Sequence, residues 1–366
     1  MSTTAIEREQ VIEQLRHQLN DVFSVESVTV LRQPPDAIAF RGALLVKPDP
    51  AYETIQSRFI ALGYTPRLTR AHGQDVVTAL PGLEQIKPSD PRINLILFFA
   101  TIGTTILTGG LENNGFNLVN GLLFATTLLT ILGAHEFGHY FVARYYRAPV
   151  TLPYFIPMPP FISFTGTMGA VIRLKAPFTN RKSLFDVGIA GPLAGLVFAV
   201  PLMFIGLALS EVRPLIQNGV QEGNSIFYAF AKLIVFGKFL PSGGEDVIIS
   251  PVAWAAWWGL FITALNLLPA GQLDGGHVTF ALLGRRARYL GWATMAVLAL
   301  FSVPLGSFYP GFNGWLFWVA LIFITGVNHP TPLNELSELG AKRIALGVLA
   351  WIIFILIFTP LPISLT

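Results

Sequence analysis

Apolar and polar positions divide the chain near residue 90. Before that point, residues 4–19 and 50–62 carry apolar side chains at helical spacing, which predicts two amphipathic helices. Four stretches rich in β-forming residues accompany them, separated by turn signals: 27–31, 37–46, 64–69 and 75–80. Residues 1–90 are therefore predicted to form a small soluble α+β domain of ferredoxin-like type, without catalytic chemistry of its own.

Beyond a predicted linker at 81–91, the pattern changes to apolar runs of about 20 residues, the length that a membrane-crossing helix needs. Seven such runs are predicted as spans: 93–109, 118–143, 184–209, 250–269, 288–306, 312–328 and 343–361. The apolar run at 227–240 is shorter and carries two lysines, so it is predicted to be an interfacial helix. Residues 91–366 thus form the predicted membrane domain.

The apolar segment 149–178 differs from the spans because it contains six prolines and cannot form one continuous helix. Within it, residues 166–174 have the character of a strand. Apolar backbone that is not helical must lie against protein or line a wet cavity when it is close to a membrane. The segment is therefore predicted to be a re-entrant β-hairpin beside a functional site.

Composition supports a membrane protein, since 52% of the 366 residues are hydrophobic and only 12% are charged. A soluble domain typically has about 25% charged residues. The net charge of +3 does not indicate nucleic acid, because the Lys and Arg residues lie in short loops beside apolar runs. The lipid bilayer is the predicted partner. The chain has no cysteine, which excludes disulfides and cysteine-ligated metals.

The basic loops predict the orientation of the spans. Residues 144–182 contain six Lys and Arg and no acidic residue, and 285–288 contain three arginines. The positive-inside rule places both loops in the cytoplasm. The chain starts without the apolar core of a secretory signal, so the first domain is expected to stay in the cytoplasm. Because the predicted number of spans is seven, the C-terminus is expected outside. We expect a multi-pass protein of a plasma or thylakoid membrane.

The motif His135-Glu136-Phe137-Gly138-His139 lies at the end of the second predicted span. Histidines four residues apart share one face of a helix and can reach one zinc ion. Glu136 lies beside them and can accept a proton from a water molecule that the metal activates. Ionisable groups next to a long apolar run are costly in hydrocarbon and mark a functional site.

A zinc site of this kind needs a third protein ligand. Four downstream residues are candidates: Asp186, Glu222, Asp274 and His277. Asp274 is favoured because Pro269 and several glycines break the helix before it and can turn the carboxylate back towards the histidines. The two spans before His139 and Asp274 also run in the same direction, so both residues reach cytoplasmic depth. His329 is expected at the surface.

HEFGH within a span, combined with N-x-x-P-x-x-x-x-D-G from Asn266 to Gly275, resembles the site-2 intramembrane zinc metalloproteases over residues 118–285. The stretch GTMGAVIRL, the Ala190-Gly191-Pro192 sequence and the first domain resemble the cyanobacterial and plastid branch. The resemblance implies one zinc ion held by His135, His139 and Asp274. It also implies that Glu136 is the general base.

The resemblance further implies that the hairpin at 150–175 presents the substrate as an extended strand. Candidate substrate-positioning residues are Asn266 and three residues of the hairpin: Gly166, Thr167 and Gly169. Asn266 has a second interpretation as the cap of the broken helix. Gly191 and Gly195 form a G-x-x-x-G pair, which indicates a close helix contact.

The function expected from this resemblance is regulated intramembrane proteolysis by a zinc endopeptidase. Its substrate would be a transmembrane protein, such as an anti-sigma factor or a membrane-tethered transcription factor. The alternative is a catalytically silent membrane scaffold or a metal-ion carrier. A carrier would line several spans with ionisable residues, whereas the last three predicted spans are almost free of them. The intact His, Glu and Asp positions argue against a silent scaffold.

Overall fold

A computed structural model describes residues 3–83, 88–112, 115–214, 220–304 and 309–365. Residues 84–87 of the predicted linker lie outside these ranges. The protein is mostly helical, with several small sheets, and divides into two compact units. The first unit contains Met1–Pro88 together with Lys175–Leu184 and Pro330–Gly340. The second unit contains Ser89–Leu174, Phe185–His329 and Ala341–Thr366.

The first unit is built on a four-stranded antiparallel sheet with two helices. In chain order the elements are α1 (Thr3–His17), β1 (Phe23–Val30), β2 (Ile38–Leu44), α2 (Pro48–Ala61), β3 (Tyr64–Ala71) and β4 (Gln74–Pro81). The strand order is β1-β2-β4-β3. The elements run αββαββ along the chain, whereas those of a ferredoxin-like domain run βαββαβ. The predicted helices and strands of this region are confirmed, and β1 begins earlier than expected.

A single apolar core holds these elements together. It combines residues of both helices and of the sheet, and the side chains that are at most 2% exposed include Leu15, Leu19, Phe23, Phe40, Tyr52 and Phe59. Leu15 lies in the last turn of α1 and Leu19 just after the end of the helix, so the two side chains enter the core next to each other. Burial of large side chains such as these is the main stabilising contribution in a small domain.

Two short segments that are distant in sequence extend the sheet of the first unit at its β3 edge. The Leu68 N–H donates to the Leu333 carbonyl at 2.7 Å, and the Glu335 N–H donates to the Leu68 carbonyl at 2.9 Å. The Asn334 N–H then donates to the Thr179 carbonyl at 2.8 Å. The Asn334 side chain is only 1% exposed. Its amide donates to the Pro48 carbonyl at 3.2 Å, so one residue connects all of these segments.

The second unit contains most of the helices. Those that follow the first unit are α3 (Pro91–Gly110), α4 (Leu118–Tyr145), α5 (Arg181–Ala208), α6 (Ile226–Phe236), α7 (Pro251–Asn266), α8 (Asp274–Leu283), α9 (Ala287–Phe301), α10 (Gly314–Thr325) and α11 (Ala341–Ile357). A 3₁₀ turn at Gly284–Arg286 joins α8 to α9. Helix α5 begins within a segment of the first unit and continues through the second.

Short antiparallel strand pairs connect the helices of the second unit. The pairs are β5 (Leu111–Glu112) with β6 (Gly115–Phe116), β7 (Tyr154–Pro157) with β8 (Thr167–Val171), β9 (Glu211–Pro214) with β11 (Glu245–Ile248), and β10 (Val220–Glu222) with β12 (Ile363–Leu365). The strand character predicted for 166–174 is confirmed by β8. The interfacial helix predicted at 227–240 coincides with α6, which has 11 residues.

Three helices of the described residues, α3, α4 and α5, are long and apolar enough to cross a membrane. The other four predicted spans coincide with α7, α9, α10 and α11, which contain 16, 15, 12 and 17 residues. These four are shorter than the approximately 20 residues of a typical span. Helix α3 exposes large apolar side chains, including Ile96 at 67% and Phe99 at 63%, as expected for a surface that faces lipid.

The Asn334 side chain provides a test of the sheet extension. Substituting Asn334 by Ala should leave the Pro48 carbonyl and the Leu336 N–H, which the Asn334 side chain also bonds at 3.1 Å, without their partner. Leaving such buried groups unpaired costs about 1–3 kcal/mol. Hydrogen exchange measured by mass spectrometry should therefore become faster in 330–340 and at β3. The exposed Asn328 is the control for an Asn→Ala change, and equal exchange in both variants would contradict the role given to Asn334.

Candidate active site

The two histidines of the HEFGH motif meet Asp274 at one point. His135 and His139 lie one turn apart on α4, and both are buried, at 3% and 5% exposure. The His135 Nε2 lies 3.1 Å from the Asp274 Oδ2, the His139 Nε2 lies 3.2 Å from the same oxygen, and the two Nε2 atoms lie 3.1 Å apart. Among the described residues, these three side chains form a group that could hold a metal ion.

The three ligand atoms fit a zinc ion by their spacing and their chemistry. Zinc binds imidazole nitrogen and carboxylate oxygen at about 2.0–2.2 Å in a tetrahedral arrangement, which separates neighbouring ligand atoms by about 3.3 Å. The observed separations of 3.1–3.2 Å match that edge length. Two nitrogens and one oxygen leave the fourth tetrahedral position free for water or substrate, as in catalytic zinc sites.

Helix α5 fixes the orientation of His139. The His139 Nδ1 lies 2.6 Å from the Val187 carbonyl oxygen, which can only accept, so the Nδ1 carries the proton and donates. The His139 Nε2 is then the unprotonated nitrogen that faces Asp274 and His135. Pro192 lies inside α5, within two turns of Val187, and cannot donate the helical hydrogen bond to the Gly188 carbonyl.

Small residues on α5 and α4 make room for the imidazole rings. A side chain at Gly191 would overlap the His139 imidazole, and a Cβ at Gly138 would lie 2.7 Å from the Ala190 carbonyl oxygen. A Cβ at Gly195 would lie 3.4 Å from the His135 Cβ, which is an ordinary contact. The close helix contact expected for Gly191 and Gly195 is therefore present, and the reason at Gly191 is the buried histidine.

The break between α7 and α8 brings Asp274 to the histidines. Helix α7 ends at Asn266, and α8 begins at Asp274 itself. Gly275 and Gly276 pack so closely on backbone carbonyls of the preceding turn that a side chain at either would overlap them. The Asn266 amide lies 3.3 Å from the His135 Nε2, so this candidate residue also borders the group.

The β7–β8 hairpin reaches the other side of Glu136. The Glu136 side chain is 6% exposed and lies close to the backbone of Ile172, directly after β8. The Thr167 hydroxyl donates to the Ile156 carbonyl at 2.8 Å and accepts from the Gly169 N–H at 3.0 Å. Thr167 and Gly169 thus stabilise the hairpin itself. Gly166, at φ +71°, packs against the Thr104 carbonyl of α3.

The other candidates for the third ligand lie in separate clusters. Asp186 accepts both prongs of the Arg343 guanidinium, at 2.8 and 2.7 Å. Glu222 accepts from the Tyr228 hydroxyl at 2.9 Å and lies 3.6 Å from the Lys232 Nζ. His277 lies with its Nδ1 2.5 Å from the His329 Nε2. His329, which was expected at the surface, is half-buried and stacks on Phe280.

Sequence reasoning did not find two contacts of the residues beside the site. One is the Val187 carbonyl, which a sequence pattern cannot distinguish from any other carbonyl within an apolar helix. The other is Arg343, whose partner Asp186 lies 157 residues earlier in the chain. The only signal was an ionisable residue at the edge of each predicted span, since both positions carry a charge that must find a partner.

Residues 123–303 match Peptidase family M50. The chain is 30% identical to the probable zinc metalloprotease EGY2, chloroplastic, of Arabidopsis thaliana, over 94% of this chain and 64% of that protein. It is 29% identical to the protein of the same name from Oryza sativa subsp. indica, over 94% and 65%. Identity to the probable zinc metalloprotease EGY1, chloroplastic, of Arabidopsis thaliana is 31%, over 65% and 43%.

The chain spans slightly less than two thirds of the length of the EGY2 proteins that it matches. The matches confirm the predicted resemblance to site-2 proteases, the metalloprotease class and zinc as the metal at the level of the family. The matched residues 123–303 include both His139 and Asp274. Residues 123–303 of this chain are therefore a domain of peptidase family M50, the family of the site-2 proteases.

Proposed function

We propose that this chain is a zinc-dependent intramembrane endopeptidase that cleaves transmembrane segments of membrane-tethered regulatory proteins. The observation that carries the proposal is the convergence of three ligand atoms within 3.1–3.2 Å beside a buried carboxylate at the end of an apolar helix. His135, His139 and Asp274 hold one zinc ion per chain, and Glu136 is the catalytic general base. Bound zinc supplies Lewis acidity, which polarises a carbonyl and makes water more acidic.

Glu136 moves the proton in the proposed hydrolysis. Its carboxylate takes a proton from the attacking water while the new C–O bond forms at the scissile carbonyl. It then delivers that proton to the amide nitrogen as the C–N bond breaks, which leaves a carboxylic acid and an amine. The burial of Glu136 excludes bulk water from this transfer. The bond from His139 to Val187 keeps the imidazole in the orientation that ligation requires.

The hairpin at 150–175 presents the substrate as an extended strand. A helical substrate hides its amides in internal hydrogen bonds, so it must unwind locally before cleavage. Among the described strands β8 pairs with β7 alone, through register pairs such as Phe155 with Ala170. Its other edge can accept a strand by main-chain pairing. Gly166, Thr167 and Gly169 shape this edge, and the Asn266 amide lies where it can bind the substrate backbone.

The proposed setting is a multi-pass protein with seven spans and a re-entrant hairpin. The seven predicted spans each coincide with a helix, of which three have full spanning length. The positive-inside rule supports an active site near the cytoplasmic face. The relatives are named chloroplastic, which supports the thylakoid rather than the plasma membrane. The substrate class, an anti-sigma factor or a membrane-tethered transcription factor, follows from resemblance to the family.

Substituting Glu136 by Gln should abolish cleavage and preserve zinc. Gln has nearly the same shape but cannot accept the proton, and loss of a general base typically slows a reaction by about 10²–10⁴-fold. The measurement is cleavage of a model transmembrane substrate by the purified full chain, together with zinc content by elemental analysis. Glu211→Gln, at an exposed carboxylate, is the matched control. Unimpaired cleavage by the Glu136 variant would rule out the proposed role.

A methyl group at Gly191 should displace the His139 imidazole. The Gly191→Ala variant is expected to bind zinc about 10–100-fold more weakly, the range found when the support of a ligand is lost. Gly195→Ala is the control, because it adds the same methyl group to the same helix at an ordinary 3.4 Å contact. Competition with a zinc chelator measures both affinities. Equal affinities in the two variants would show that His139 does not hold the metal.

Substituting Asn266 by Ala separates its two interpretations. If its amide binds the reacting segment of the substrate, cleavage should slow by about 100-fold while zinc affinity is unchanged. If it serves only as a helix cap, thermal stability should fall and the cleavage rate of the folded protein should stay near that of the wild type. We expect the first result. Steady-state cleavage and thermal unfolding of the same sample distinguish the two.

A further inference from the structure

Helix α11 carries a charged contact to the helices of the site. The Arg343 guanidinium donates to both oxygens of the Asp186 carboxylate, from Nε at 2.8 Å and from Nη2 at 2.7 Å. The Tyr146 hydroxyl donates to the same carboxylate at 2.5 Å, and the Arg343 Nη2 lies 3.3 Å from the Tyr146 oxygen. The side chains of Arg343 and Asp186 are 33% and 23% exposed, so the pair is partly shielded from solvent.

This contact is adjacent to the bond that orients His139. Asp186 directly precedes Val187, whose carbonyl accepts from the His139 Nδ1 at 2.6 Å. Tyr146 follows His139 by about two turns of α4, so both side chains lie on one face of the chain there. The ends of α4 and α5 are therefore joined twice, by His139 with Val187 and by Tyr146 with Asp186. Arg343 closes the second junction from α11.

We propose that Arg343 is a positioning residue for the metal site, acting through Asp186 and Val187 on the His139 imidazole. The inference rests on the proposed ligand role of His139. Arg343 lies beyond residues 123–303, the part that matches the peptidase family. The C-terminal helix of this chain thereby completes the support of the site, a role for which the family match gives no indication.

The geometry of the guanidinium is what the role requires. Arg offers two parallel N–H groups in a fixed fork, which sets the position of a carboxylate as well as neutralising it. Lys supplies the charge but only a single point of attachment. If the role of Arg343 is to hold α5 in position at Val187, a Lys at position 343 should preserve zinc affinity only in part. If only the positive charge matters, Lys at position 343 should preserve zinc affinity fully.

The test compares zinc affinity in full-length Arg343→Met, Arg343→Lys and Lys342→Met variants. Lys342 is the neighbouring exposed cation on the same helix and serves as the matched control. Competition with a chelator should show zinc binding about 10-fold weaker in Arg343→Met, an intermediate loss in Arg343→Lys and wild-type affinity in Lys342→Met. The absorption spectrum of the Co²⁺-substituted protein should change in the two Arg343 variants, which reports ligand geometry independently of cleavage.

Two further variants separate the possible failures. His139→Ala should lose zinc; retained zinc would refute the ligand assignment and with it the proposed function. The double variant Asp186→Asn with Arg343→Met should be no weaker than Arg343→Met alone, because both changes break the same junction. Wild-type zinc affinity and an unchanged Co²⁺ spectrum in Arg343→Met would overturn the inference alone. A lower thermal stability of Arg343→Met would not change this conclusion. With wild-type zinc affinity, lower stability would show that the ion pair is purely structural.

Discussion

The structure of the second unit depends on the convergence of two imidazoles and one carboxylate at a buried point. His139 and Asp274 are 135 residues apart in the chain, yet their ligand atoms lie 3.2 Å apart. Charged and polar groups in an apolar setting cost several kcal/mol each unless they bind one another or a metal. A divalent cation between these three atoms would satisfy all of them at once. The helices around the site are arranged so that this convergence is possible.

Helix α5 is the element that makes the arrangement rigid. It has glycine where the His139 ring needs space, at Gly191, and where α8 packs closely, at Gly188. It offers the Val187 carbonyl to the imidazole and the Asp186 carboxylate to α11. About two turns of α5 therefore provide the space for the His139 ring, the hydrogen bond that orients it and the ion pair with α11. Changes in this short stretch act on several contacts together.

The sequence predicted what depends on local spacing or on hydropathy. The four-residue spacing of His135 and His139 determines their shared face, and the apolar runs predicted the positions of the helices of the second unit except α8. The matching depth of Asp274 followed from counting spans. The contacts of Asp186 and of His277 could not be predicted, because Arg343 and His329 lie 157 and 52 residues away and no periodicity links them. Helix length was overestimated at the C-terminal ends of α7 and α10, which end at Asn266, before Pro269, and at Thr325, before Gly326.

The hairpin beside Glu136 is held in place before any substrate arrives. The buried Asn94 of α3 donates to two successive carbonyls, those of Leu152 at 2.8 Å and Pro153 at 2.9 Å, where the chain enters β7. Gly166 rests on the same helix at the other end of the hairpin. A strand fixed at both ends loses little conformational entropy when a second strand pairs with it. Under the proposed function, a strand that is already ordered leaves the free energy of unwinding mainly to the substrate, and the site would then favour segments that unwind readily.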